Sequence, residues 1–377
     1  MNYPIRIGIV GGGQLGKMLT QSAKKLGFYV TVIDPTPQSP AGQVADRQIV
    51  ADFRDSKAIL ELARYSDFIT FEIELTNDKA LLALMKKGTI INPAPSTLTI
   101  IRDKFRQKQF LLKNKIPTAK FLQVSSKANI LKAGKLFGYP LMLKARRDAY
   151  DGRGNAIIKN EADIDRGLEK LKDKELYVEE FVLFSKELAV MVARSAKGEI
   201  ISYPTVETIH KDNICDTVIA PAPIQKAQYD KAQELARKVV KKLEGAGVFG
   251  IEMFLDKKNN ILVNEIAPRV HNSGHYTIEG SVTSQFEQHI RAITGLPLGS
   301  TNLISKVVVM KNILGEKNGR GIPKGIEEAL QIPSVSLHIY GKSESRVQRK
   351  MGHITVIGTT IKECLEKANK ARKMITI

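Results

Sequence analysis

FGIEMFLDKKNNILVNEIAPRVHNSGH, residues 249–275, decides how the chain is read. Residues 248–255 and 261–266 are apolar runs of strand length and the DKKNN between them has turn chemistry, so the stretch predicts a β-hairpin. A four-residue loop at 257–260 pairs Asp256 with Ile261, and counting back rung by rung sets Glu252 opposite Glu265. Directly opposed residues have Cβ atoms about 4.5–5.5 Å apart, where like charges destabilise a sheet. A hard cation between them resolves the conflict. Mg2+ is typically held by one or two carboxylates plus phosphate oxygens, whereas zinc sites draw on several His or Cys ligands, which the hairpin does not place between its acids. Both glutamates could instead line a solvated sheet face. The tail shifts the balance by delivering Arg269, His271, Asn272 and His275 within seven residues, around Pro268 and Gly274.

The 377 residues, 43% hydrophobic and 26% charged, have room for two or three domains. The apolar runs fall short of the ~18 residues that span a bilayer. Residues 1–13 lack the basic start and cleavage site of a signal peptide. A cytoplasmic protein with no membrane partner is expected. Cys215 and Cys364 stand far apart with no C-x-x-C, which argues against a disulfide framework or a cysteine metal site. A net charge of +19 makes nucleic acid one candidate partner and phosphate-bearing small substrates another. Nucleic-acid binders concentrate charge and interleave aromatics. Here Lys is scattered, Trp is absent and aromatics are 6%, so no nucleic-acid partner is expected.

At the N-terminus a strand over 5–10 leads into GGGQLG, and Leu15, Leu19, Ala23 and Leu26 share one helical face. The next strand, 30–34, ends in Asp34. Gly11, Gly13 and Gly16 with Asp34 fit the G-x-G-x-x-G unit of a nicotinamide oxidoreductase, but a glycine turn before a helix binds any phosphate. DFITFEIE, 67–74, is a further strand of the same sheet, ending beside that turn. A basic helix is predicted over 97–114 and a domain boundary near Pro117.

Residues 139–159, YPLMLKARRDAYDGRGNAIIK, predict a strand ending in Lys144, a polar tip and a second strand from Ala156. Such a tip can fold over phosphates or be an ordinary surface loop. ELYVEEFVLF, 175–184, is a strand with a crossover into another that begins at Glu187, and His210 is either a ligand contact or a satisfied surface histidine. Helices are predicted over 226–244 and 280–294, and a strand over 306–314. HIYGKSESRVQRKMGHITV sets Lys342, Arg346, Arg349 and Lys350 on a turn between strands, a phosphate clamp or unremarkable hairpin charge.

GGGQLGKM at 11–18, FEIE at 71–74, YDGRGN at 150–155, EEFV at 179–182 and NEIAPRVHNSGH at 264–275 follow one another in a telling order. On these motifs the chain resembles, nearly end to end, the N5-carboxyaminoimidazole ribonucleotide synthetases, ATP-grasp ligases of purine biosynthesis. The resemblance implies an α/β fold, α+β in part. Residues 1–114 would form a Rossmann-like parallel-sheet domain, 115–180 a small lid, and 181–377 the larger domain with a C-terminal strand extension. The implied cofactors are ATP and Mg2+, with Mn2+ as an alternative ion, and a homodimer is implied.

Carried over by position, Lys104 and Lys144 would meet the ATP phosphates, with Gly152, Gly154 and Asn155 at the lid tip. Glu179, Glu180, Phe181 and Val182 would take the adenine and Glu187 the ribose. His210 and Asn264 would join this site, and Glu252 and Glu265 would hold the metal. Strict alternation points Asn264 away from Glu265, so its role requires a backbone contact or a bulge.

The implied substrates are bicarbonate and 5-aminoimidazole ribonucleotide. Gln14, Leu15, Lys342, Arg349 and Lys350 would hold the ribonucleotide phosphate, and Glu72, Arg269, His271 and Asn272 would surround its ring or the carboxylate. Tyr150, Asp151, Arg153 and Arg269 are the implied catalytic residues. The related formate-using glycinamide ribonucleotide transformylases carry a serine-glycine loop in place of YDGRG and HDTG in place of HNSG at 271–274. That difference favours bicarbonate.

Overall fold

The computed structural model describes residues 3–147 and 154–377. Strands β1 (Arg6–Val10), β2 (Tyr29–Asp34), β3 (Arg47–Val50), β4 (Phe68–Phe71) and β5 (Ile90–Ile91) form a parallel sheet in the order β3-β2-β1-β4-β5. Its β-branched runs are buried, as a sheet covered on both faces requires. The strand predicted over 67–74 ends early, at Phe71, so Glu72 and Glu74 leave the sheet beside the glycine turn. Helix Gln14–Lys25 buries Leu15, Met18, Leu19 and Ala23. One apolar core runs from Ile7 and Leu19 through Phe286 and Ile290 to Met191 and Val308, so the glycine turn is fixed relative to the rest of the molecule. His289 completes that junction. Its Nε2 lies 2.8 Å from Thr70 Oγ1, its Nδ1 accepts from Val248 N–H at 3.0 Å, and burial pushes its pKa down to about 3.

The single helix predicted over 97–114 is two, Pro95–Arg102 and Lys104–Lys113. Asp103 between them is extended and caps the second helix by accepting from Phe105 and Arg106 N–H at 3.1 and 3.2 Å. Arg146 Nη2 at 2.5 Å and Arg147 Nη2 at 3.3 Å hold the same carboxylate. The break makes Lys104 the first helical residue, and its N–H donates to Arg146 O.

A second sheet is antiparallel, with β6 (Phe121–Val124), β7 (Leu141–Ala145), β8 (Asn155–Ile158) and β9 (Leu176–Glu180) in the order β6-β9-β7-β8. The chain then builds β10 (Phe184–Arg194), β11 (Ile200–Ser202), β12 (Val206–Lys211), β13 (Ile214–Ala220), β14 (Gly247–Asp256), β15 (Ile261–Ala267), β16 (Val307–Leu314), β17 (Gly319–Arg320), β18 (Val335–Ile339), β19 (Glu344–Ser345) and β20 (Lys350–Gly358). Nine of these form one sheet in the order β15-β14-β10-β12-β13-β16-β20-β18, with β11 on β10, while β17 and β19 pair separately. Helix Lys226–Lys242 covers one face through Leu235, Val239 and Val240. The helix predicted over 280–294 is a short turn, Thr277–Gly280, and a helix, Gln285–Thr294, begun by Ser284 accepting from Glu287 N–H. No helix among the described residues is long and apolar enough to cross a membrane.

Candidate active site

The β14–β15 ladder pairs Gly250 with Ala267, Ile251 with Ile266 and Glu252 with Glu265. The two acids do face each other, but by a different route from a regular hairpin. The turn is tighter than four residues: Asp256 N–H donates to Asn260 O at 3.0 Å, and Asn259 adopts φ +66°. Leu255, not Asp256, therefore pairs with Ile261. The register recovers through a bulge between Glu252 and Met253 on one strand and Glu265 and Val263 on the other, which leaves Asn264 as the extra residue. Asn264 and Glu265 are consequently both half-buried between the buried Val263 and Ile266. The bulge thus breaks the strict alternation that set Asn264 opposite to Glu265.

Burial pushes the Glu252 carboxyl up to about 7, with the Glu265 charge adding to the effect. Burial acts on Glu265 in the same sense but is outweighed by Lys104 and Lys144, which hold it below the usual carboxylate range. Lys104 Nζ is 3.2 Å from Glu265 Oε2, and His271 Nε2 is 3.4 Å from Glu252 Oε1. Burial keeps His271 well below its ordinary pKa, hence neutral. Two facing carboxylates, one of them reluctant to ionise, suit a divalent cation with oxygen ligands.

Behind this pair lies a buried charge cluster. Glu179, 3% exposed, bonds Lys144 and is 3.1 Å from Lys108 Nζ, and Lys108 is itself 2% exposed and donates to Thr118 Oγ1 at 2.9 Å. The Glu179 carboxylate is therefore shared between two lysines. The Glu180 carboxylate accepts from Lys120 N–H at 3.0 Å. Phe181 and Val182 are half-buried on the strap between β9 and β10, and their backbone groups have no backbone partner among the described residues, so they are free to read a base edge. Next to them Phe184 stacks on Phe254 with ring centroids 4.8 Å apart.

Glu187 Oε2 is 2.6 Å from His210 Nδ1, across neighbouring strands, so the histidine is not solitary. Burial would lower its pKa, but Glu187 outweighs that and raises it above 6.5. Such a group adds stability at pH below its unfolded value of 6.5, and the contribution fades as pH rises through the raised value. In Glu187→Gln the melting temperature is expected to lose that dependence. Thermal unfolding scanned from pH 5 to 9 checks it, and an unchanged profile would contradict the pairing.

At the other end of the cleft, the glycine turn is already plugged by protein. Gly13 and Gly16 N–H donate to Glu72 at 2.6 and 2.9 Å, and Gly12 and Thr36 N–H donate to Asp34 at 3.0 and 2.9 Å. Neither acid nor those N–H groups are left for a dinucleotide, which removes the nicotinamide reading. Gln14 and Leu15 N–H, the first two of the helix, have no acceptor among the described residues and remain available to an anion.

An ATP-grasp domain signature covers residues 109–286, a ribonucleotide synthetase preATP-grasp domain 5–102, and a phosphoribosylaminoimidazole carboxylase C-terminal domain 308–367. The crystal structure of N5-carboxyaminoimidazole ribonucleotide synthetase from Thermotoga maritima is 53% identical and superposes with a TM-score of 0.90 over 99% of both chains. The chain belongs to the N5-carboxyaminoimidazole ribonucleotide synthase family of ATP-grasp enzymes. The Aspergillus clavatus synthase, solved with ADP and 5-aminoimidazole ribonucleotide, is 41% identical with a TM-score of 0.90 over 98% of both chains. The phosphoribosylaminoimidazole carboxylase of Ogataea methanolica is 47% identical over 95% of this chain and 67% of its own length. The chain spans about two thirds of the length of the fungal carboxylases it matches.

Arg269 Nη2 lies 2.8 Å from Glu74 Oε1, while its buried Nε has no partner among the described residues. The Asn272 side chain is not presented to the cleft. It makes a reciprocal amide pair with Asn312 at 3.0 and 2.7 Å, and Asn312 also donates to Cys215 O at 2.8 Å. Lys342 Nζ donates to Lys350 O at 2.7 Å, and burial pushes its pKa down to about 8, with Arg349 adding to the shift. The Lys350 charge acts on both His271 and His210, in the sense that lowers a histidine pKa, though Glu187 still leaves His210 raised. Arg349 donates to Glu344 O, whereas Arg346 is exposed and pairs with Glu344.

Of the tip residues, Gly154 O accepts from Ala145 N–H at 2.8 Å and Asn155 O from Lys170 Nζ at 2.9 Å. Tyr150, Asp151, Gly152 and Arg153 lie outside the described residues. Glu279, His338 and His353 bring three ligand-type atoms together, but this is a poor metal site. The two imidazoles stack 4.4 Å apart at 9°, so their in-plane lone pairs run side by side, and Glu279 already accepts from His338. Lys108, paired with Glu179, and Lys17, which donates to Tyr340 O, lie beside the expected site residues and were missed by the sequence reading. Lys108 sits one turn along from Lys104 on the same helix face, a spacing that could have flagged it.

Proposed function

We propose that the chain carboxylates the exocyclic amine of 5-aminoimidazole ribonucleotide, using ATP and bicarbonate, in purine biosynthesis. The observation that carries this reading is two groupings of charge that share Arg269, whose guanidinium interacts with Glu74 and Glu72 on one side and Glu265 on the other. Facing carboxylates with Lys104 and Lys144 mark one grouping. A helix N-terminus with Lys342 marks the other.

ATP would lie against the strap at Phe181 and Val182, with its ribose at Glu187 and His210 and its phosphates toward Lys104 and Lys144. Glu252, Glu265 and Asn264 would hold Mg2+, or Mn2+ in its place, whose charge offsets that of the phosphates. A bicarbonate oxygen attacks the γ-phosphorus, the bond to the β-phosphate oxygen breaks, and carboxyphosphate and ADP form. The ribonucleotide amine then takes the CO2 unit, releasing inorganic phosphate and one proton. Tyr150, Asp151 and Arg153 are assigned to bicarbonate on sequence alone. Arg269, paired through Nη2 with Glu74 and with its Nε lacking a partner among the described residues, would steady the carboxylate charge. The protein's work is positioning and charge compensation.

ADP release is expected only when Mg2+, bicarbonate and 5-aminoimidazole ribonucleotide are all supplied. A coupled assay with each omitted in turn reads this, and turnover on formate with glycinamide ribonucleotide would replace the proposal by the transformylase reaction. The family resemblance also points to a homodimer, which light scattering on the purified chain checks.

A further inference from the structure

Tyr340 follows β18 and is 2% exposed. Its hydroxyl lies 3.0 Å from His353 Nδ1. His353 sits opposite His338 in the ladder and stacks on it, and His338 Nε2 is 2.6 Å from Glu279 Oε1. Glu279, His338, His353 and Tyr340 thus form one row of polar contacts, with the His275 ring packed on His353 at 4.9 Å.

The row ends at the clamp. Tyr340 O accepts from Lys17 Nζ at 3.1 Å, and Gly341 O accepts from Gln43 Nε2 at 2.8 Å, tying this turn to the N-terminal unit. Lys342 Nζ stands 5.6 Å from the centre of the Tyr340 ring. Burial lowers the pKa of Lys17 as it does that of Lys342, and neither has a carboxylate within ion-pair distance among the described residues. Two partly desolvated ammonium groups without an acid favour an anion between them and the free N–H groups of Gln14 and Leu15. A row of polar groups that runs from the half-buried Glu279 and His338 to the buried His353 and Tyr340 is also a costly way to hold strands together, since apolar packing does as well or better. Its specific return is direction, because a hydroxyl bonded to a stacked imidazole fixes where the ring can lie.

We propose that Glu279, His338 and His353 are positioning residues that hold Tyr340 by its hydroxyl, and so set where Lys17 and Lys342 present charge to the phosphate of the ribonucleotide. This rests on the proposed function, which supplies the phosphate monoester. None of the three histidine-row residues needs to touch substrate.

The test compares Tyr340→Phe, His353→Leu and His353→Asn with the parent enzyme. Loss of one neutral hydrogen bond is worth roughly five- to tenfold. Tyr340→Phe and His353→Leu are expected to raise KM for 5-aminoimidazole ribonucleotide by about that factor, leaving KM for ATP and kcat unchanged. His353→Asn, whose side-chain amide sits near the place of Nδ1, is expected to recover most of the loss. Calorimetry with ribose 5-phosphate reads the clamp without turnover, and Tyr340→Phe is expected to weaken it by the same factor. Tyr340→Phe removes a single oxygen, so it keeps the comparison open should His353→Leu fail to fold. Equal shifts in both KM values, or unchanged ribonucleotide KM and ribose 5-phosphate affinity in Tyr340→Phe, would overturn the positioning role. A parent enzyme that ignores the ribonucleotide yet loses ribose 5-phosphate affinity on Tyr340→Phe would sink the proposed function and leave the clamp standing.

Discussion

Glu265→Gln is expected to abolish ATP turnover while the fold survives. Glutamine matches glutamate in shape, so the bulge at Asn264 and the pairing with Glu252 persist. What disappears is one of two facing charges, together with the partner of Lys104 at 3.2 Å. Charge compensation at transferring phosphates is worth several kcal/mol, so kcat for ADP release should fall on the order of 10³-fold or more. Glu252 offers a second readout. Its carboxyl, pushed up to about 7 by burial and by Glu265, should titrate lower once its neighbour is neutral. A pH titration of the metal-free variant, read by NMR of the glutamate side chains, should then lose a carboxyl near neutrality. Parent-like rates with an unchanged titration would remove both acids from the metal assignment.

Lys108→Met carries the largest expected cost to stability. The ammonium is 2% exposed and shares Glu179 with Lys144. Removing one partner of a buried ion pair typically costs about 3–5 kcal/mol, because a buried charge is left under-compensated. Urea unfolding of the parent and variant reads the difference. Burial alone would raise the Glu179 pKa, yet Lys108 and Lys144 bring it from 4.5 to about 2. A carboxylate depressed in the folded state contributes stability that is complete above 4.5 and lost as pH falls toward about 2. With Lys108 gone the depression shrinks, so acid unfolding of Lys108→Met should begin at a higher pH. The double variant Lys108→Met with Glu179→Gln should lose less than the sum of the single losses, since neither charge is then stranded. Additive losses would show that the two residues act independently.

These two sites differ in how far the sequence reached them. Glu252 and Glu265 were legible because strand alternation and a short turn are local properties, settled within a few residues. Even so, the expected four-residue loop was wrong and the ladder irregular, and the opposition stands because a tighter turn and a one-residue bulge compensate. The cluster of Lys108, Glu179 and Lys144 was not legible. Its members come from a helix and two strands of a different sheet, and a lysine on a basic helix looks the same whether it meets water or a buried acid. Asp103 shows the same limit at shorter range. It reads as a charged residue inside a helix, whereas in the fold it caps the second helix while two arginines beyond Lys144 hold its carboxylate.

The glycine turn makes the division clearest. Its pattern specified a tight turn into a helix, since only glycine tolerates Gly11 at φ +101° with the Glu72 side chain packed against it. What those N–H groups bind was decided 56 to 59 residues away, where the strand stops at Phe71 and swings Glu72 into the turn. By itself, then, the sequence determined the elements, the facing acids and the family. Tertiary structure alone decided which charges are spent on one another and which remain for a ligand. Periodicity is written in neighbouring residues, whereas a buried charge takes its partner from whatever packing brings within about 3 Å, where desolvation makes the choice binding.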